Sequence, residues 1–332
     1  MAFVTPLLLP FEMGHADLPE GRGVFFNAEL PQGVDHANWR KRLSCVQAWR
    51  DRYLDLENAG YEVADTLPMR TDPYSIAFVT LSKHRAEAQA DIARAMRTVT
   101  PGGPIVIGGH KRVGAASIKK WVGERLDIVS AFSKSHWQVF TVMAAPNTGL
   151  EVPTMANSIA GFSTAPGMFS HQEIDQGSAL LAAHLPGGNL GKLADFGCGW
   201  GYLSVEALNR AQAESIALID AHAPSLNAAK NNLLSHHPNA HVTTCWLDLA
   251  REAPPHSYDT IIMNPPFHSD HATNVDLGIS FIEKAAQTLV PRGRLFMVAN
   301  RQLPYEQVLE RSFKSWTEIQ SNNRFKLFTA LR

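Results

Sequence analysis

The sequence predicts an α/β fold in two parts, each part built on a parallel sheet with helices on both faces. Three observations carry that expectation. From about residue 165 onward, short apolar runs rich in β-branched residues alternate with amphipathic stretches of helical length, the pattern of successive βαβ units. The first half repeats the alternation more faintly. The chain of 332 residues also exceeds what one hydrophobic core usually serves.

In the first half, SIAFVTL (75–81), PIVIGG (104–109) and HWQVFTVMA (136–144) read as strands, and AEAQADIARAMRTV (86–99) and ASIKKWVGERL (116–126) as helices. Between about 145 and 165 Pro, Gly, Asn, Ser and Thr mix with short apolar pieces, and we divide the chain there into domains 1–150 and 151–332. After this boundary His171–Leu185 reads as a helix. LADFG (193–197), SIALID (215–220), HVTTCWLD (241–248), TIIMNPP (260–266), GRLFMVAN (293–300) and FKLFTAL (325–331) then read as strands. The segments SVEALNRAQ (204–212), APSLNAAKNNLL (223–234), GISFIEKAAQTLV (278–290) and YEQVLERSF (305–313) read as the intervening helices.

Composition excludes several classes. With 45% hydrophobic and 18% charged residues the chain is neither disordered nor fibrous. Three scattered cysteines offer neither a disulfide framework nor a paired zinc motif, which suits a reducing, cytoplasmic setting. The apolar start MAFVTPLLLPFEMGH has two prolines and no basic residue before Arg22, unlike a secretory signal, and no run reaches membrane-spanning length. The formal net charge of -1 gives no global attraction to nucleic acid, so such a surface must be local. Candidates are Arg40–Arg42, Lys111–Arg112, Lys119–Lys120 and the stretch 292–332, where eight basic residues face three acidic ones.

Chemistry concentrates in the second half. An apolar strand delivers Asp195 and then Gly197, Gly199 and Gly201 (DFGCGWG) ahead of a helix. Glycines there allow a tight turn and close backbone approach to a ligand. A dinucleotide fingerprint starting at Gly197 or Gly199 would need glycine at Tyr202 or Ser204, so an oxidoreductase reading fails on spacing. Asp220 ends the next strand, where an acid can accept both hydroxyl protons of a ribose, and Asp248 ends the third, where a carboxylate can accept from an adenine amine. Helix capping is the bland alternative for each.

The segment YDTIIMNPPFH (258–268) places Asn264 at a strand end, followed by two prolines that forbid continued ladder or helix. The Asn264 side-chain carbonyl and the Pro265 backbone carbonyl can converge on one NH2 group. Holding both protons of a delocalised exocyclic amine favours a pyramidal nitrogen with its lone pair aimed outward, so positioning replaces acid-base power. Phe267 offers a face for stacking a base. His268 and His271, in a polar loop, read as solvated, and no metal or protein partner is called for.

These elements resemble the motifs of S-adenosylmethionine-dependent methyltransferases acting on planar exocyclic nitrogens. More narrowly, GMFSHQEIDQGSALL (167–181), NPPFH (264–268) and the ending RFKLFTALR are similar to the ribosomal RNA small subunit methyltransferase C family, guanine-N2 methyltransferases. In the first half only GGHKRVGAASIKKW (108–121) shares the likeness. The resemblance implies two duplicated Rossmann-like methyltransferase domains, the first degenerate and serving substrate docking, the second catalytic. It implies that Asp195, Gly197, Gly199 and Gly201 hold the methionine part of S-adenosylmethionine, Asp220 the ribose and Asp248 the adenine. It further implies that Phe169 and Asp175 close over the cofactor, and that Asn264, Pro265, Pro266 and Phe267 hold a guanine of 16S ribosomal RNA within the small subunit. Rival acceptors for the same chemistry are a large-subunit guanine, adenine N6 and a protein glutamine; an inactive RNA-binding module is the remaining alternative.

Overall fold

The computed structural model describes residues 5–146, 148–150, 157–266, 268–269, 272–273 and 275–332. The chain forms two compact units, Met1–Met155 and Ala156–Arg332.

The first unit carries seven strands: β1 (Gly23–Phe26), β2 (Leu43–Val46), β3 (Glu62–Ala64), β4 (Ile76–Thr80), β5 (Pro104–His110), β6 (Ser130–Lys134) and β7 (Trp137–Met143). Its helices are α1 (Leu9–Glu12), α2 (His36–Arg42), α3 (Arg50–Asn58), α4 (Arg85–Thr98) and α5 (Ala115–Gly123). The sheet order is β3-β2-β1-β4-β5-β7-β6. The strands through β5 run parallel, and β7 and β6 return antiparallel. Period-two alternation along β1 turns Val24 and Phe26 toward the core of α4 and α5, and Phe25 toward the opposite core with Leu7, Trp39 and Leu56.

The second unit repeats the plan with β8 (Lys192–Phe196), β9 (Ser215–Asp220), β10 (Val242–Trp246), β11 (Tyr258–Met263), β12 (Leu289–Asn300), β13 (Ser315–Ser321) and β14 (Phe325–Leu331). Its order, β10-β9-β8-β11-β12-β14-β13, matches the first sheet strand for strand. The helices are α6 (Gln176–His184), α7 (Tyr202–Arg210), α8 (Ala223–His236), α9 (Val275–Thr288) and α10 (Glu306–Ser312). Leu193 and Leu218 pack with Leu181, Leu203 and Leu233 on one face, while Phe196 and Ile219 pack with Phe281, Ile282 and Val308 on the other. Helices thus cover both faces, and all strand ends that carry candidate residues share one edge.

Three expectations need correction. Both sheets are mixed, because each ends in an antiparallel hairpin. The helix expected from His171 begins only at Gln176, since Asp175 has extended backbone and caps it, its Oδ2 accepting from Ser178 N at 2.8 Å. The strands β1 to β3 lie upstream of the first strand expected in that half.

The matching registers show what the first unit has lost. Phe26 pairs with Val46 and Val79, as Phe196 pairs with Ile219 and Met263. Below the turn the same hydrogen bond recurs: Ala28 N donates to Val46 O, and Cys198 N to Ile219 O. By this correspondence Phe25 stands where the second unit has Asp195, Asn27 and Glu29 where it has Gly197 and Gly199, Gln47 for Asp220 and Thr80 for Asn264. Gln47 donates from Nε2 to Ala28 O at 2.6 Å and accepts from Trp49 N at 2.8 Å, so an uncharged amide closes that turn on itself.

Candidate active site

The strand β8 is fully buried from Leu193 onward, and alternation aims Asp195 at the face covered by α6, α7 and α8. Its Oδ2 accepts from Ser204 Oγ at 2.6 Å, while Oδ1 is buried with no hydrogen-bond partner in the structure. Burial pushes this carboxyl up to about 7, against the opposing pull of the Ser204 hydroxyl and with a smaller push from Asp220. Ser204, nine residues on and on the inner side of α7, was not singled out by sequence. A polar residue among the buried Leu203, Val205 and Ala207 was the available signal.

After β8 the three glycines take φ of 73°, 53° and 89°, the left-handed region that glycine enters most readily. At Gly201 a Cβ would also meet Ala229 Cα at 2.9 Å, so glycine here lets α7 start against α8; at Gly199 the corresponding space is open. Asp220 reaches back from β9 to tie this turn: its Oδ2 accepts from Gly199 N and its Oδ1 from His222 N, each at 2.8 Å. Burial raises its pKa, opposed by the hydrogen bonds from the His222, Gly199 and Ala221 backbone. The carboxylate retains lone pairs for further donors.

Asp248, two residues past β10, is buried and accepts from Ala250 N at 3.0 Å, holding the turn that follows. Asn264 stands one residue past β11, and its Nδ2 donates to Asp175 Oδ2 at 3.0 Å and to Ser178 Oγ at 2.9 Å. Pro265 is buried. Pro266 Cδ lies 4.0 Å from the Cβ position of Gly197, which sets the proline turn beside the glycine turn. Phe267 and His271 lie outside the described residues.

The segment before α6 closes the other side. Phe169 is 56% exposed, and its carbonyl accepts from Trp200 Nε1 at 2.8 Å. Trp200, unexpectedly large for a glycine turn, is buried against Phe162 with ring centroids 5.1 Å apart. Asn232 of α8 accepts from Ser163 N and donates to the carbonyls of Ser163 and Trp200. The bulky indole therefore fastens the overlying segment to the turn.

Together these residues frame a cleft enclosing about 390 Å³ of open space, lined by Phe169, Asp175, Ser178, Gly197, Gly199, Trp200 and Asn264 among others. Asp195, Asp220, Asp248, Pro265 and Pro266 are not among its lining residues. Asp195 and Asp220 support the glycine turn from behind.

The basic stretch 292–332 does not form one face. Lys326 is buried and paired with Glu306, Arg311 pairs with Glu283 at 2.6 Å, and Arg332 donates to the Gln287 and Leu289 carbonyls. Arg40–Arg42 lead into the start of β2, whereas Lys111–Arg112 follow the end of the parallel strand β5, so these two clusters sit at opposite edges of the first sheet. Lys111 and Arg112 are exposed.

Among the described residues no helix is long and apolar enough to cross a membrane. The methyltransferase small domain family matches residues 160–329, just over half of the chain. Ribosomal RNA small subunit methyltransferase C of Stutzerimonas stutzeri (strain A1501) is 30% identical over 70% of this chain and 72% of its own length. The protein of that name from Pseudomonas aeruginosa (strain LESB58) is 29% identical over 99% and 96%. In fold, the T. Thermophilus 16S rRNA N2 methyltransferase, solved in complex with AdoMet and guanosine, aligns over 99% of this chain and 92% of its own with TM-score 0.78 at 20% identity. Its alignment spans both units, which accords with the repeated sheet order. A cleft framed by a glycine turn and an Asn-Pro-Pro turn, a family match across that unit and relatives covering the whole length lead to one assignment: the chain belongs to the ribosomal RNA small subunit methyltransferase C family.

Proposed function

We propose that this protein methylates the exocyclic N2 amine of a guanine in small-subunit (16S) ribosomal RNA, with S-adenosylmethionine as methyl donor. The single observation that carries the reading is the meeting of the glycine turn and Asn264 across one cleft. The residues fit the cofactor. Gly199 leaves open space where any other residue would place a side chain, and Asp195 keeps one buried carboxylate oxygen without a partner behind the turn. When bound, the cofactor supplies an electrophilic methyl group.

The protein's own residues bind and orient. Gly197, Gly199 and Gly201 shape the turn that holds the methionine part, with Asp195 as the negative charge behind it; Asp220 accepts from the ribose, and Asp248 takes the adenine end. Phe169 covers the cleft. Asn264 Oδ1 and the Pro265 carbonyl accept from the guanine amine, Pro266 stiffens their approach, and Phe267 stacks the base. A base taken out of structured RNA loses its neighbours at a cost of a few kcal/mol, which such stacking offsets in part. The first unit docks the RNA, and the work proceeds in the cytoplasm on the small subunit or its RNA.

Mass spectrometry of nucleosides from ribosomal RNA of cells with and without this gene tests the reading. One N2-methylguanosine of 16S RNA should disappear in the deletion; an unchanged 16S profile with a loss in large-subunit RNA or in a protein would move the activity to that acceptor.

A further inference from the structure

We infer that Asp175 and Ser178 are positioning residues that lock the Asn264 carboxamide with its NH2 group inward, so that Asn264 meets the acceptor only as a hydrogen-bond acceptor. The inference rests on the proposed role of Asn264 in holding the target amine.

An amide side chain can be turned over at almost no steric cost, and each orientation presents a different chemistry. With Nδ2 free it would donate to a carbonyl or a ring nitrogen; with Oδ1 free it accepts from an amine. Here the surroundings decide. Asp175 Oδ2 lies 3.0 Å and Ser178 Oγ 2.9 Å from Nδ2, one partner for each proton. Turning the amide over would press Oδ1 against a carboxylate oxygen at that distance, a contact with no shared proton and two negative partial charges. Only Oδ1 is left for the cleft, and an acceptor group must therefore bring a proton to it, as an NH2 group does and a carbonyl does not.

The clamp is itself held. Asp175 Oδ2 also accepts from Ser178 N as the cap of α6, so one oxygen fixes both the helix start and the amide. Gly177 between them has no side chain; a Cβ there would stand 3.0 Å from the Phe325 ring. Arg324 donates to Gln176 Oε1 at 2.6 Å, fastening the same turn to the start of β14.

Steady-state methylation of small-subunit particles from cells lacking the gene, with labelled S-adenosylmethionine, tests this in the full chain. Asp175→Ser can still cap α6 but is one atom too short to reach Asn264, and Ser178→Ala leaves the backbone cap intact while removing the hydroxyl. Each should lower kcat about 10- to 100-fold, as expected when a reacting group loses its alignment. KM for the particles, S-adenosylmethionine affinity and melting temperature should stay within a few-fold or a few degrees. Asp175→Asn and Ser178→Thr keep an acceptor in place and should recover at least about ten-fold over those variants. Wild-type kcat in both Asp175→Ser and Ser178→Ala, or no recovery by the conservative pair, overturns the clamp. Asn264→Ala separates the levels: if it is inactive while the clamp variants are normal, only the positioning role fails, whereas a fully active Asn264→Ala overturns the assignment of Asn264 and the clamp together.

Discussion

Among single residues, Asp195 makes the sharpest physical statement. Its pKa stands at about 7, above the ordinary 3.8, because burial disfavours the charged form. The folded chain therefore binds more protons than the unfolded chain between those values, and this group's contribution to stability falls as pH rises from roughly 4 to 7. Asp91 in the first unit is raised to about 7 by burial as well, with Arg94 opposing, so wild type alone mixes two such slopes. Thermal melts of Asp195→Asn across pH 4 to 8 should show a flatter decline than wild type; parallel curves would mean that Asp195 does not titrate in this window. Asn264→Ala should abolish methyl transfer while S-adenosylmethionine affinity stays within a few-fold, since its hydrogen bonds go to α6 and to the acceptor. Calorimetric titration beside a methylation assay reads both, and joint loss would put Asn264 in the cofactor site instead. Sequence identified Asp195 and Asn264 but gave no sight of their partners: Ser204 and Ser178 are ordinary helix serines until packing brings them within 3 Å.

At the level of elements, the glycine turn separates two costs that the motif alone merges. Gly201→Ala would combine a φ of 89° with a Cβ 2.9 Å from Ala229 Cα, and should destabilise by about 1 to 3 kcal/mol in urea unfolding. Gly199→Ala meets no neighbour and carries only the left-handed backbone cost of about 1 kcal/mol, so equal losses at both positions would remove the packing argument. The parallel strands of the second half were legible because full burial makes them near-continuous apolar runs. The final hairpin was half legible: FKLFTAL is buried, but β13 (SWTEIQS) is an edge with mostly exposed side chains and reads like a loop. The strands β1 and β2 span four residues each, too short for periodicity to separate them from apolar pieces of loop. Asp175 shows the complementary error, a residue read as a cover that serves as a cap and clamp.

For the whole molecule, the assignment of RNA docking to the first unit makes a measurable claim. Lys111 and Arg112 follow the last parallel strand of that sheet and are exposed. Reversing both charges should weaken binding to the ribosomal substrate and lower the slope of log affinity against log salt by about one for each phosphate no longer neutralised. Affinity for S-adenosylmethionine should not change; an unaltered slope would make these residues solvated surface. The two units also show how far scaffold and chemistry can drift apart. The bond from Ala28 N to Val46 O has outlasted every acid and glycine that surrounds its twin from Cys198 N to Ile219 O. Selection can therefore erase the function of such a turn in a handful of codons without erasing the protein that carries it. An inherited copy freed from catalysis remains a folded body on which a new surface can evolve.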